Sequence, residues 1–253
     1  VFDIPINDSF DYISDDKKVK IGSRVKVSFG NTTRIGVIID IIAADSKSKT
    51  YKIKKIDELV DEAPVLTKEM FKTCKWASSY YHHPIGQVIF SAMTPLHRKQ
   101  RKEPASKLEI QHNESFEELI LNAEQKKIYD TLIEERKKFK VNVLRGVTGS
   151  GKTELYVKLA KRIIEDYSQI LVMVPEINLI PQTLERFKKY LKIIPHQYHS
   201  NLTPTQKHKV WKACSKEEQI IVIGTRSSIF LPFKKLGLIV IDEEHDSSYK
   251  QTE

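Results

Sequence analysis

Residues 141–153 read VNVLRGVTGSGKT, and the reading of this stretch decides the fold. A short apolar run at 141–145 leads into GVTGSGKT at 146–153, which matches G-x-x-x-x-G-K-[ST] in full. The pattern predicts a strand, a glycine-rich turn and then a helix over 152–165. Gly146, Gly149 and Gly151 let the backbone curl so that successive N–H groups, with those of Val147, Thr148 and Ser150, face phosphate oxygens. The start of the helix adds the positive end of its dipole. Lys152 is expected to reach the β- and γ-phosphates, and the Thr153 hydroxyl to hold Mg²⁺. The competing reading is a chance glycine-rich turn before a helix, and a full match with the right flanks argues against it.

Downstream, LIVIDEEHD at 238–246 ends an apolar strand on acidic residues. Asp242 is expected to hold Mg²⁺ through water, and Glu243 to orient and deprotonate an attacking water. Four acidic groups within five residues repel one another at a strand end, and a bound cation relieves that; a solvated loop is the alternative. Glu244 and His245 complete a DEEH tetrad, which favours a motor ATPase over a small kinase or a GTPase. Between the two motifs, ILVMV at 170–174 and IIVIG at 220–224 read as buried strands, with helices over 178–191 and 203–214. Continuous apolar strands between amphipathic helices imply a parallel sheet covered on both faces, an α/β nucleotide-binding architecture.

The first half speaks a different grammar. RVKVSF at 24–29 alternates basic and apolar residues, 33–42 is β-branched, and Gly30-Asn31 makes a turn between them. A third candidate strand at 51–60 alternates Lys with Ile and Leu, and the three suggest a small barrel-like module. Thr67 reads as the N-cap of a helix with Met70, Phe71, Cys74, Trp76 and Ala77 on one face, ended by YYHHP at 80–84. His82 and His83 are possible metal ligands in isolation, with packing at a helix end the stronger reading. The run 47–55 reads as a basic, solvated strand edge, and HRKQRKEP at 97–104 as a linker.

Composition sets the bounds. The chain has 253 residues and a formal net charge of +9, with 40% hydrophobic and 30% charged residues, which suits two globular domains. Residues 1–107 carry 19 Lys+Arg against 13 Asp+Glu, so most of the surplus lies in the first part. A polyanion partner and a mere solubility charge both fit that surplus. No apolar run reaches the ~18–20 residues of a membrane span. The opening VFDIPINDSF has no basic-then-apolar leader, and the two cysteines, Cys74 and Cys214, form no CxxC pair. A cytoplasmic setting, with no membrane and no zinc site in this chain, is the expectation.

Together these motifs carry a resemblance. DEEH after an apolar strand, with GVTGSGKTE upstream, resembles the DEAH-like group of superfamily 2 helicases. LVMVPEINLIPQTLERF (171–187), YHSNLT (198–203), IVIGTRSSIFLPF (221–233) and LGLIVIDEEHDSSYKQ (236–251) resemble the PriA family of primosomal replication-restart helicases. FDY (10–12), VKVSFG (25–30), RIGVI (34–38) and YYHHPIGQV (80–88) are similar to that family's 3′-end-binding domain. The resemblance implies a β-rich 3′-DNA-end-binding domain over 1–100, a linker over 101–121 too short for the family's winged helix, and a RecA-like helicase lobe over 122–253. It implies an ATP-dependent 3′→5′ DNA helicase that recognises stalled or abandoned forks and initiates primosome assembly. The partners it implies are forked DNA with a nascent leading-strand 3′ end, primosome proteins and single-strand-binding protein.

Residue by residue, the resemblance places the 3′ end at Phe10, Asp11 and Tyr12, with Gly30 and Lys54. Asp11 suits a terminal 3′-OH, and Phe10 or Tyr12 offers a face to a base, although core packing competes for at least one of these rings. Gln125 in LNAEQ falls where such motors read adenine; a solvent-facing helix glutamine is the alternative. Thr225, Arg226 and Ser227 are expected on the DNA backbone, and residues 175–182 on a further DNA-facing motif. Tyr249 and Lys250 match the start of a loop linking DNA to the ATP site. The chain ends at KQTE, so the second motor lobe, its arginine finger and the zinc-binding cysteines are expected elsewhere in a longer enzyme. The 253 residues are then expected to bind fork DNA and nucleotide without rapid turnover. A DNA-end adaptor with a nucleotide-gated P-loop, and a double-stranded-DNA translocase of restriction or remodelling type, are the alternatives.

Overall fold

The computed structural model describes residues 1–43, 53–98, 108–109, 111–147, 149–166, 168–216 and 219–250. The chain forms two units, Val1–Ser106 and Lys107–Glu253.

In the first unit, β1 (Tyr12–Ile13), β2 (Arg24–Phe29), β3 (Thr32–Val37), β4 (Lys54–Lys55) and β5 (Glu58–Leu59) precede α1 (Lys68–Tyr80) and α2 (Ile85–Ala92). β2 is central, antiparallel to β3 on one side and to β5 on the other, while β1 and β4 form a separate parallel pair. The β2–β3 hairpin lies where the Gly30-Asn31 turn predicts it, and Gly30 takes φ +58. The third candidate strand is split. Ile56 N–H donates to Ile13 and Asp57 N–H to Lys26, so the chain passes from one sheet to the other between β4 and β5. Residues 44–52, which include part of the expected basic edge, lie outside the described residues.

The core of this unit is Phe2, Val25 and Val27, with Phe10, Tyr12, Phe29, Ile38, Ile56 and Leu59 packed against it. The backbone of Phe2 also lies against Gly86 in α2, so close that a Cβ there would collide with it. The alternation in RVKVSF breaks at its first residue. Arg24 is fully buried, its Nε and Nη2 donating to the two carboxylate oxygens of Asp61 at 2.8 and 2.5 Å, and Nη1 to the His97 carbonyl at 2.7 Å.

Thr67 caps α1 as expected, its hydroxyl accepting from Met70 N–H at 3.1 Å. Met70 and Cys74 are buried, but Trp76 is 58% exposed and stacks on Tyr80. At 3.6 residues per turn, Trp76 lies about 200° around the helix from Cys74, so both cannot face the core. His82 ends the helix in the left-handed region, with His83 N–H donating to the Ser78 carbonyl.

The second unit contains α3 (Ala123–Glu134), α4 (Lys152–Glu165), β6 (Gln169–Met173), α5 (Leu179–Tyr190), β7 (His196–Tyr198), α6 (Pro204–Cys214), β8 (Ile221–Gly224) and β9 (Leu236–Ile241). The strands are parallel in the order β7-β8-β6-β9, which is the expected α/β architecture. β7 escaped the sequence reading because three residues, HQY, show no periodicity; pairing with β8 makes them a strand. Before α3, His112 bridges Ile193, Asn113 Nδ2 donates to the Lys188 carbonyl, and Leu119 joins the core.

The expected strand at 141–145 is not formed. Those residues pair with no described strand, and Val141 and Val143 are 76% and 77% exposed. A strand exists only through its ladder, and an apolar run of five cannot supply one by itself. β9 is correspondingly an edge strand among the described residues, with Leu236, Ile239 and Ile241 partly exposed. No described helix is long and apolar enough to cross a membrane.

Removing one partner of a buried, hydrogen-bonded ion pair leaves an uncompensated charge. Arg24→Ala is therefore expected to destabilise the first unit by about 3–5 kcal/mol, read as a lower urea midpoint. An exposed-site control such as Lys17→Ala is expected to change the midpoint little.

Candidate nucleotide and nucleic-acid sites

Three connections of the second unit leave the carboxyl ends of parallel strands: Val174-Pro175 after β6, Thr225 after β8 and Asp242 after β9. In open α/β sheets that edge is where ligands bind.

The glycine-rich turn enters α4 through Gly151, the N-cap residue, at φ +79; Gly149 lies at φ +80. Both torsions suit glycine and strain any L side chain. A Cβ on Gly151 would also collide with Gln125 Nε2. Gln125 is fixed from both ends: Oε1 accepts from Asn122 N–H in a capping box, and Nε2 donates to the Gly151 carbonyl at 3.2 Å. Thus the structure brings the expected adenine reader to the phosphate turn, and it is not a solvent-facing glutamine. Lys152 Nζ folds back on the loop, donating to the carbonyls of Gly146 at 2.6 Å and Val147 at 3.2 Å. Ser150 N–H closes the turn on the Val147 carbonyl. Thr148 lies outside the described residues.

The two expected Mg²⁺ ligands are held by residues that sequence reasoning did not single out. The Thr153 hydroxyl accepts from Arg186 Nη1, on α5, at 2.9 Å. Asp242 Oδ1 lies 3.5 Å from the Tyr156 hydroxyl, on α4 one turn after the phosphate loop. Burial, with the Asp242 charge second, pushes the Tyr156 phenol up to about 12, so it remains a donor throughout the neutral range. Neither residue carries a motif signature, because their relevance depends on α4, α5 and β9 meeting in space. A hydroxyl and a carboxylate are hard oxygen donors and fit Mg²⁺.

After Asp242 the chain turns sharply. Glu243 adopts φ +50, uncommon for a residue with a side chain, and Asp246 N–H donates to its carbonyl. The turn carries Tyr249 back, so that its hydroxyl donates to the Asp242 carbonyl at 3.0 Å. Burial and the carboxylates of Asp242, Asp246 and Glu243 raise the Tyr249 pKa. Lys250 follows, exposed.

On the same strand edge, Pro175, Glu176, Ile177, Asn178, Ser200, Thr225, Arg226 and Ser248 line an open pocket. Thr225 caps a 3₁₀ turn over Arg226–Phe230, whose Ser228 hydroxyl donates to the Thr225 carbonyl at 2.6 Å. Arg226 and Ser227 are exposed there. Two of the expected DNA contacts therefore line one pocket with the start of the 175–182 motif. Ser248, the neighbour of Tyr249, lines it as well.

In the first unit the Phe10 ring packs 5.4 Å from Phe2 and 5.0 Å, edge-on, from Phe29. The Tyr12 hydroxyl donates to the Ser28 carbonyl at 3.1 Å, and Tyr12 pairs in register with Lys54. Asp11, which separates the two in sequence, is exposed, Lys54 is exposed, and Gly30 turns the hairpin one residue beyond Phe29. Each ring is partly buried against the core, neither wholly.

Comparison with known proteins follows the same division. Residues 1–94 match the 3′DNA-binding domain (3′BD) family of PriA, and residues 118–253 match the family of the type III restriction enzyme res subunit. The replication restart protein PriA of Haemophilus influenzae is 31% identical over 98% of the chain and 44% of its own length. That of Rickettsia conorii is 38% identical over 94% of the chain and 36% of its own length. That of Bacillus subtilis is 42% identical over 54% of the chain. The chain thus spans less than half the length of the curated relatives it matches.

Gly151→Ala tests the phosphate turn directly. It forces an L residue to φ +79 and a methyl onto Gln125, at a cost of about 1–2 kcal/mol in backbone strain alone. The expected outcome is loss of binding to a fluorescent ATP analogue, with a lower melting temperature for the second unit.

Proposed function

The chain belongs to the replication restart PriA family, and from that premise we propose that it supplies the fork-recognition domain and the ATP-binding lobe of an ATP-dependent 3′→5′ DNA helicase that restarts replication. The observation that carries this reading is the pairing of two sites on one chain. One is an exposed carboxylate, Asp11, flanked in sequence by two half-buried aromatic residues in a basic unit; the other is a phosphate loop coupled to an acidic strand end.

In the first unit, Asp11 accepts a hydrogen bond from the terminal 3′-OH of the nascent leading strand, which a terminal phosphate would repel. Phe10 and Tyr12, braced by the core, present ring edges and faces to the last base. Lys54 supplies positive charge beside them, and Gly30 lets the strand approach the hairpin backbone without a side chain in the way. In the second unit, Lys152 exchanges its loop carbonyls for β- and γ-phosphate oxygens, and Gln125 reads adenine. Thr153 and Asp242 are the residues that would hold Mg²⁺, which supplies charge neutralisation between the phosphates. Glu243 orients the attacking water. Thr225, Arg226 and Ser227 hold the DNA backbone, and Tyr249 and Lys250 pass its position to Asp242. No residue of the chain is assigned to zinc. Primosome proteins, single-strand-binding protein and a cytoplasmic setting belong to the same proposal.

The test compares binding of forked DNA ending in a 3′-OH with the same fork ending in a 3′-phosphate. Wild type is expected to prefer the hydroxyl, Asp11→Ala to lose the preference, and Lys152→Ala to keep it while losing ATP. Equal binding of both ends by wild type would sink the 3′-end assignment.

A further inference from the structure

A second pocket, in the first unit, is assigned to nothing above. It measures about 230 Å³ and is lined by Phe2, Asp3, Thr33, Arg34, Ile35, Phe90 and Arg98. Its two arginines differ in how they are used. Arg98 is committed: Nε and Nη2 both donate to the Phe90 carbonyl, at 3.0 and 2.7 Å, and Nη1 faces Asp3 at 3.7 Å. The one carboxylate in the pocket is thereby offset by Arg98. Arg34 is exposed, with its guanidinium 5.6 Å above the Phe29 ring, and among the described residues no hydrogen bond or ion pair engages that group. A guanidinium over an aromatic ring gains cation–π attraction without using up its N–H donors.

The position relates this pocket to the expected 3′-end site. Phe29, under Arg34, is the ring that meets Phe10 edge-on. Thr33 is in register with Ser28, whose carbonyl receives the Tyr12 hydroxyl. Arg34 follows on the same strand, four residues past the Gly30 turn. An exposed, fork-shaped donor that no described residue engages by hydrogen bond or ion pair fits a tetrahedral anion, and beside a DNA-end site that anion is a phosphodiester.

We propose that Arg34 binds a backbone phosphate of the strand whose 3′ end lies at Phe10, Asp11 and Tyr12, within a few nucleotides of that end. The proposal rests on the 3′-end reading and adds a strand-holding contact to it. The terminal hydroxyl identifies an end; the phosphate contact sets the direction in which the strand leaves.

The experiment measures fork binding by fluorescence anisotropy across a salt series, for wild type, Arg34→Gln and Arg34→Lys. Arg34→Gln is expected to weaken binding roughly three- to tenfold, independent of sequence. It should also reduce the slope of log K against log salt by about 1, while leaving the 3′-OH preference intact. Arg34→Lys is expected to retain the wild-type slope. In parallel, single neutral methylphosphonates replace each phosphate near the 3′ end. One position should weaken wild type and have no effect on Arg34→Gln. If no such position exists for wild type, or if Arg34→Gln keeps the full salt slope, the proposal is overturned while the 3′-OH preference still stands. If wild type shows no 3′-OH preference, the 3′-end reading fails first, and the placement of this phosphate fails with it. The methylphosphonate scan of wild type decides the matter even if Arg34→Gln folds poorly.

Discussion

Strands β6 and β8 are buried along their entire length, so every peptide group in them must find its partner in a neighbouring strand. That requirement holds the parallel ladder in one register, with Met173 opposite Gly224 on one side and Ile241 on the other. Because the three strands end together, the residues that follow them emerge together. Pro175, Thr225 and Asp242 are far apart in sequence and share an edge only because their strands cannot slip. The helices covering the sheet then bring Tyr156 and Arg186 to the same edge, where they bond the two residues expected to hold Mg²⁺.

The first unit works under a different constraint. Its strands are short, and three of the five are only two residues long. Cohesion comes from the aromatic group around Phe2 and from the buried Arg24, which ties β2 to Asp61 and to the His97 carbonyl beyond α2. The packing of Phe10 and Tyr12 in the core is compatible with the base contact proposed for them. A ring braced on one side by packing loses little conformational entropy when a base settles on its other side, which is the condition for a stacking platform. Structural and functional roles for the same ring are compatible here because each is only partly buried.

Legibility followed the range of the interaction. The phosphate turn, the Thr67 cap and the Gly30 hairpin depend on torsions and hydrogen bonds within a few residues, and the sequence pattern showed each of them. The buried strands 170–174 and 220–224 were legible because a continuous apolar run has few other uses. Errors arose where a segment's state depends on a distant partner. VNVLR at 141–145 has the apolar content of a strand but no ladder, whereas HQY at 196–198 has no pattern and is made a strand by β8. Trp76 was read onto one helical face with Met70 and Cys74, and helix geometry turns it outward. Arg24 shows the converse: nothing in the alternation of RVKVSF marks its first residue for burial, and Asp61, 37 residues away, makes that burial possible.

Sequence alone therefore determined the chemistry on offer: a phosphate loop, an acidic strand end, a basic β-rich unit with aromatic rings around a carboxylate. These are properties of residue type and short spacing, and local sterics and hydrogen bonding enforce them wherever the chain goes. Only the tertiary structure decided which groups meet. It put Gln125 against Gly151, Arg186 on Thr153, Tyr156 beside Asp242, and an exposed Arg34 over Phe29. Each of these contacts joins residues from different elements, so each depends on packing that no short stretch of sequence contains.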